Sequence, residues 1–142
     1  MSKTAGEAFS NNPEYIASIG MASAEMSVVE NQLGRLLAAV LNIDPSLGQT
    51  MYLSSHTAFG RLASLDITAS QVLSAEPLAR MKALLKRTRE LLVKHNDLHG
   101  DIWKSLESPA QAAAHAAALA DQIQGLREVS RQLEAFALGV RA

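Results

Sequence analysis

The sequence predicts an all-α fold: a single-domain helical bundle of four to five helices. Three observations carry that expectation. Alanine and leucine dominate a chain in which 48% of residues are apolar and only 4% aromatic. Both lose little side-chain freedom in a helix. Apolar residues recur at alternating steps of three and four along several stretches, the signature of helices with one buried face. No apolar–polar alternation marks a strand, and there is no sequence repeat, glycine-rich phosphate loop or linker. The 142 residues suit one domain with its own core.

The elements follow in chain order. Residues 1–12 are small and polar and are expected to be flexible, with the bundle domain spanning 13–142. Pro13 suits a first helical position, where its missing N–H would be unpaired anyway. Ile19, Ala22, Met26, Val29, Leu33, Leu36 and Val40 then form one stripe, widened by Leu37 and Leu41. Glu25, Glu30 and Arg35 lie off it. Asp44-Pro45 is an N-cap followed by a first-turn proline, opening a short helix through about Tyr52. Ser54, Ser55 or Thr57 caps a third helix carrying Phe59, Leu62 and Leu65, with a bend expected at Ile67-Thr68. Glu76-Pro77 reads as a further break. Leu78, Met81, Leu85, Thr88, Leu92, His95, His99 and Ile102 make the next stripe. Ser108-Pro109 opens a last helix with Leu119, Ile123, Leu126, Val129, Leu133, Phe136 and Val140. Its first part, AQAAAHAAALA, is filler or a face that lets another helix come close. These stripes exceed what one small bundle can cover, so a homodimer through the first or last helix is expected.

Composition excludes several function classes. The net charge of −1 gives no global attraction to nucleic acid or membrane, so such binding needs a local patch. The absence of cysteine removes disulfides, thiolate metal sites and cysteine nucleophiles. The first residues lack the apolar core of a signal peptide, and no apolar run approaches the roughly 20 residues of a membrane span. A soluble cytoplasmic protein is the expectation, with no membrane partner, no cofactor and no bound metal.

The window LVKHNDLHGDIW, residues 92–103, carries the functional signal. The helix leading into it is basic: Arg80, Lys82, Lys86, Arg87, Arg89 and Lys94 face only Glu90 between positions 80 and 94. Such a run is either a solvated face or a surface for phosphates, with Lys86, Arg87, Arg89 and Lys94 as the candidate contacts. His95 and His99 are four apart and share a helix face. Three readings suit the pair: structural imidazoles at the core edge, two ligands of a metal completed by Glu25, Glu30 or Asp66, or acid–base chemistry near neutral pH. Gly100 reads as a left-handed helix stop, with Asp101 capping a short following turn. Trp103 reads as a core anchor, His115 as lying on a wet face, and Arg61 with Asp66 as a surface pair. His56 stands near a helix start and carries little information. No hydroxyl has a base beside it in sequence.

A basic residue, a polar residue, three more residues and a histidine, near the end of a long helix in an all-α chain, resemble the HEPN superfamily. ENQLGRLLAAVLNIDP, AFGRL and LLKRTRELLVKHNDLHGDIW fit its layout, over about residues 15–140. The resemblance implies a HEPN-like dimeric bundle that binds RNA or nucleotide and cleaves RNA without metal. It places Lys94, His95 and His99 at the motif positions, followed by Gly100. His99 would then be the acid–base group, Lys94 would stabilise phosphorane charge, and His95 would orient the site. The motif arginine is replaced by Lys94, which supplies charge but not the planar two-point contact. On a straight helix positions 94 and 99 lie about 7.5 Å apart in rise and roughly 140° apart around the axis, so their convergence requires a second subunit. The alternative reading is a non-enzymatic helical interaction module; a metal-binding bundle ranks third.

Overall fold

The computed structural model describes residues 12–55 and 57–141. The N-terminal stretch 1–11 and His56 lie outside the described residues. The described residues are all-helical, in six segments: α1 (Pro13–Leu41), α2 (Pro45–Leu53), α3 (Ala58–Val72), α4 (Ala75–Gly100), α5 (Ile102–Ser105) and α6 (Pro109–Arg141). The count exceeds four to five because the turn after Gly100 forms a four-residue helix of its own.

The boundaries have local causes. Asn42 ends α1 in the left-handed conformation, φ 54°, which asparagine tolerates. Asp44 then accepts from the Ser46 and Leu47 amides at 2.9 and 3.4 Å and starts α2. Of the three hydroxyls before α3, Thr57 is the cap, accepting from the Gly60 amide at 2.9 Å. Ser108 does the same for Gln111 in α6. Ile67-Thr68 does not interrupt α3, which runs on to Val72 with Thr68 donating its hydroxyl to Ser64 O. The next break falls at Leu73-Ser74, and Pro77 sits inside the first turn of α4, where it needs no amide partner. Gly100 remains helical, and no described glycine has positive φ. The chain passes directly from Asp101 into α5, so no left-handed stop is required.

The three long helices set the architecture. Tyr15 meets His115, Glu25 meets Arg127, and Ile43 meets Arg141, so α1 and α6 run parallel. Leu98 meets His115 while Arg80 meets Phe136, so α4 runs antiparallel to α6. The short α2 folds back on the end of α1, and α3 lies against the first half of α4 through Asp66–Lys82 and Phe59–Arg89. The main core joins Val29, Leu33 and Leu36 of α1 to Leu65, Met81 and Leu126, each side chain contributing roughly 1.5–3 kcal/mol by burial. The stripe on α4 is wider than its sequence pattern, because Leu91 and Leu98 are also buried where α6 covers a second side. Gln122 is buried too, donating to Leu91 O at 2.7 Å.

A smaller core closes the far end around Tyr15, Ala22, Leu98 and Leu119. Here His115 departs from expectation. It is 8% exposed, set among alanines small enough to admit the ring. Its Nε2 donates to Leu98 O at 2.8 Å, so in the neutral ring Nδ1 accepts from the Tyr15 hydroxyl at 2.7 Å. That hydroxyl also meets Ser105 Oγ at 2.5 Å. Trp103 departs in the opposite sense and is 57% exposed. On α5 it is Ser105 that turns inward, with Ile102 and Leu106 against the small core. Arg61 and Asp66 do not pair: five positions place them roughly 140° apart, and each finds another partner, Glu30 at 3.4 Å and Lys82 at 2.9 Å.

Three substitutions test this packing. A Cβ on Gly48 would overlap the Ala38 methyl and stand 2.8 Å from its backbone N and Cα, whereas one on Gly125 meets the movable end of Leu91. Gly48→Ala should therefore cost roughly 1–3 kcal/mol, and Gly125→Ala distinctly less, in urea denaturation. Tyr15→Phe strips the donor from buried His115 and should cost about 1–3 kcal/mol by the same measurement.

Candidate functional site

α3 has 15 residues and α4 has 26. Beyond Arg89 α3 no longer covers the side of α4 and α1 that faces away from α6, and an open groove of about 430 Å³ lies there, lined by Ser23, Met26, Ser27, Glu30, Asn31, Leu53 at the end of α2, and His95. Both histidines of the motif turn to this side. Their ring centroids are 4.1 Å apart. His99 Nδ1 lies 3.0 Å from His95 O, a carbonyl that can only accept, so Nδ1 carries the proton. In the neutral ring Nε2 is then the basic nitrogen, and it accepts from the Ser23 hydroxyl at 3.1 Å. Ser23 is exposed and His99 half-buried.

His95 is half-buried, and its Nδ1 is enclosed with no partner among the described residues. Burial, aided by the neighbouring His99, holds its pKa below the usual imidazole range. Further along the groove Glu30 pairs with Arg61. Burial raises the Glu30 carboxyl pKa, and Arg61 opposes that shift. Tyr52 lies under the same pair, 3% exposed, its hydroxyl unpartnered among the described residues. Burial and then the Glu30 charge push its phenol upward, Arg61 acting against them.

The remaining candidate residues are not gathered at this groove. Lys94 is exposed and points roughly 100–140° away from the two histidines around α4. Lys86, Glu90 and Lys94 follow one another at steps of four along an exposed ridge, so an acid interrupts the lysines. Arg87 turns toward α6 and lies 3.9 Å from Glu90. Arg89 sits over the Phe59 ring at 5.3 Å, roughly 160° around the helix from Arg87. The basic run of the sequence is thus distributed over three sides of α4.

The acids named as possible third metal ligands are otherwise engaged: Glu25 with Arg127, Glu30 with Arg61 and Asp66 with Lys82. Among the described residues no group of three or more histidine, cysteine or acidic side chains could hold a metal ion, and no helix is long and apolar enough to cross a membrane. Sequence reasoning named Glu30 beside the histidines as one of three possible acids, and missed Ser23, the pairing of Glu30 with Arg61, and Tyr52 beneath that pair. Ser23 and His99 are 76 positions apart, and only the antiparallel packing of α1 on α4 joins them. Comparison of the chain with family models, curated proteins and solved structures gives no match.

The groove makes a titration prediction. The folded His95 pKa is depressed, so below about pH 6.5 the unfolded chain binds more protons and stability falls as pH falls. His95→Gln should flatten that slope in urea midpoints measured from pH 5 to 7.5. An NMR titration should find His95 below the usual imidazole range.

Proposed function

We propose that the chain is a HEPN-like helical domain that binds RNA as a homodimer and cleaves it without a metal. The observation that carries this reading is the setting of His99: at the lip of an open groove, with Nδ1 committed to a backbone carbonyl and Nε2 presented at the accessible surface beside Ser23. An imidazole held in one tautomer with its basic nitrogen at the surface suits general base catalysis.

In this reading the RNA displaces the Ser23 hydroxyl and places a ribose 2′-OH against His99 Nε2. The proton moves to Nε2 as the 2′-oxygen attacks the adjacent phosphorus. The P–O5′ bond breaks, leaving a 2′,3′-cyclic phosphate, and the 5′-oxygen takes a proton from His99 of the second copy. His95 carries the carbonyl that orients His99. Lys94 offsets phosphorane charge as a point charge, with the exposed Lys86 on the same ridge as the contact to a flanking phosphate, while Arg87 and Arg89 face other sides of α4. Lys94 and His99 diverge around one helix, so the Lys94 that serves a given His99 comes from the other copy. Leu53, apolar and about half exposed on the groove wall, favours such an apposition.

A second reading, a non-enzymatic interaction module with structural histidines, is favoured by one observation: both His99 nitrogens already have partners within the chain.

Labelled RNA incubated with the protein in EDTA, together with light scattering for subunit mass, separates the two. The nuclease reading expects a dimer whose cleavage survives chelation and falls about 10²–10⁴-fold in His99→Ala, with Lys94→Ala weakening it as well. An intact RNA with no affinity at low salt leaves the interaction module.

A further inference from the structure

The half of the groove beyond the histidines is not used by the chemistry above. Glu30 lies seven positions after Ser23 on α1, so its carboxylate stands about 10.5 Å further along the helix. Arg61 holds one carboxylate oxygen from the far side, and Arg61 is itself anchored by Ser55 O at 3.2 Å. Asn31 adds an exposed amide beside it, and Met26 with Leu53 supplies apolar surface on the walls.

This set of groups selects a chemistry. A carboxylate accepts hydrogen bonds only, so its ligand must donate. A second full cation would be repelled by Arg61, and a metal ion finds no third ligand among the described residues. A neutral, flat group with two adjacent N–H donors satisfies all three conditions. Among RNA bases guanine carries that edge, in N1–H and the N2 amino group, while adenine, cytosine and uracil each present one donor position there. Splayed bases read on their Watson–Crick edge are the usual targets of sequence-specific RNA recognition.

We propose that the Glu30 end of the groove is a guanine pocket, in which Glu30 accepts from N1–H and N2–H, Asn31 meets the acceptor edge, and Met26 and Leu53 flank the ring. A guanosine seated there directs its ribose and phosphate past His95 toward His99, which makes the pocket the specificity element of the same site. The assignment rests on the RNA reading above.

Calorimetric titration of the full chain with guanosine, inosine and adenosine 5′-monophosphates tests it, with oligouridylate run in parallel. Inosine lacks the N2 amino group, so GMP should bind about tenfold tighter than IMP, the worth of one hydrogen bond to a charged acceptor. AMP should bind more weakly still. Glu30→Gln should abolish the GMP-over-IMP preference, with circular dichroism monitoring the fold. Should that variant unfold, Asn31→Ala at its exposed position should weaken GMP severalfold more than it weakens AMP. Equal affinity for the three nucleotides overturns the guanine pocket. So does an absence of nucleotide binding while oligouridylate still binds, which leaves the RNA reading standing; loss of oligouridylate binding as well removes both.

Discussion

A mismatch of helix lengths governs the molecule. α3 is about 22 Å long and α4 about 39 Å, at 1.5 Å per residue. A short helix laid against a long one cannot cover it, so nearly half of the α1–α4 seam lies open on the side away from α6. The two cores lie at either end of the bundle, and the polar side chains of α1 and α4 meet in the stretch between them. His95, His99, Ser23 and Glu30 tolerate that position because one side of each is supported by protein and the other opens toward water. Had α3 begun three turns earlier, the same residues would be covered, and their polar atoms would need internal partners.

Electrostatics within the seam follow from the same half-burial. His95 and Glu30 are both displaced toward their neutral forms by loss of water. They differ in what opposes that loss. Glu30 has a guanidinium beside it, which favours the ionised carboxylate. His95 has another imidazole beside it, which disfavours its cation. The groove therefore holds a carboxylate beside its guanidinium at one end and, at the other, an imidazole that burial disposes to stay neutral, a polarity along its length that charge counting in the sequence does not reveal.

Much of the fold was legible because it depends on local chemistry. Pro13, Asp44-Pro45, Thr57 and Ser108-Pro109 mark helix starts by satisfying or removing orphan amides, and these signals need no tertiary knowledge. The stripes on the long helices were legible for the same reason. What escaped was set by neighbours distant in the chain. His115 reads as solvated amid alanines until Tyr15 and Leu98 O arrive to bond both nitrogens. Trp103 reads as core by its size, yet the short α5 spends its inward position on Ser105. The histidine pair could be placed on one face by spacing, whereas the partners that define its chemistry, Ser23 and the Glu30–Arg61 pair, belong to other helices. The basic run was visible as composition; its distribution over three sides of α4 depends on which neighbours claim each arginine.

The parallel contact between α1 and α6 has a kinetic meaning. Tyr15 waits for a residue 100 positions later, and Glu25 for one 102 positions later. Contacts of such sequence separation carry a large loop-closure cost and slow the search for the native state. On the ribosome the first helix therefore emerges with the flank that packs on α6 unmatched and keeps that flank so until α6 has been made. Local helix pairs such as α1 with α2 and α3 with α4 can assemble early, but closure of the bundle is a late event, and a nascent chain lacking its last thirty or so residues would present the flank of α1 to any chaperone or partner chain able to hold it.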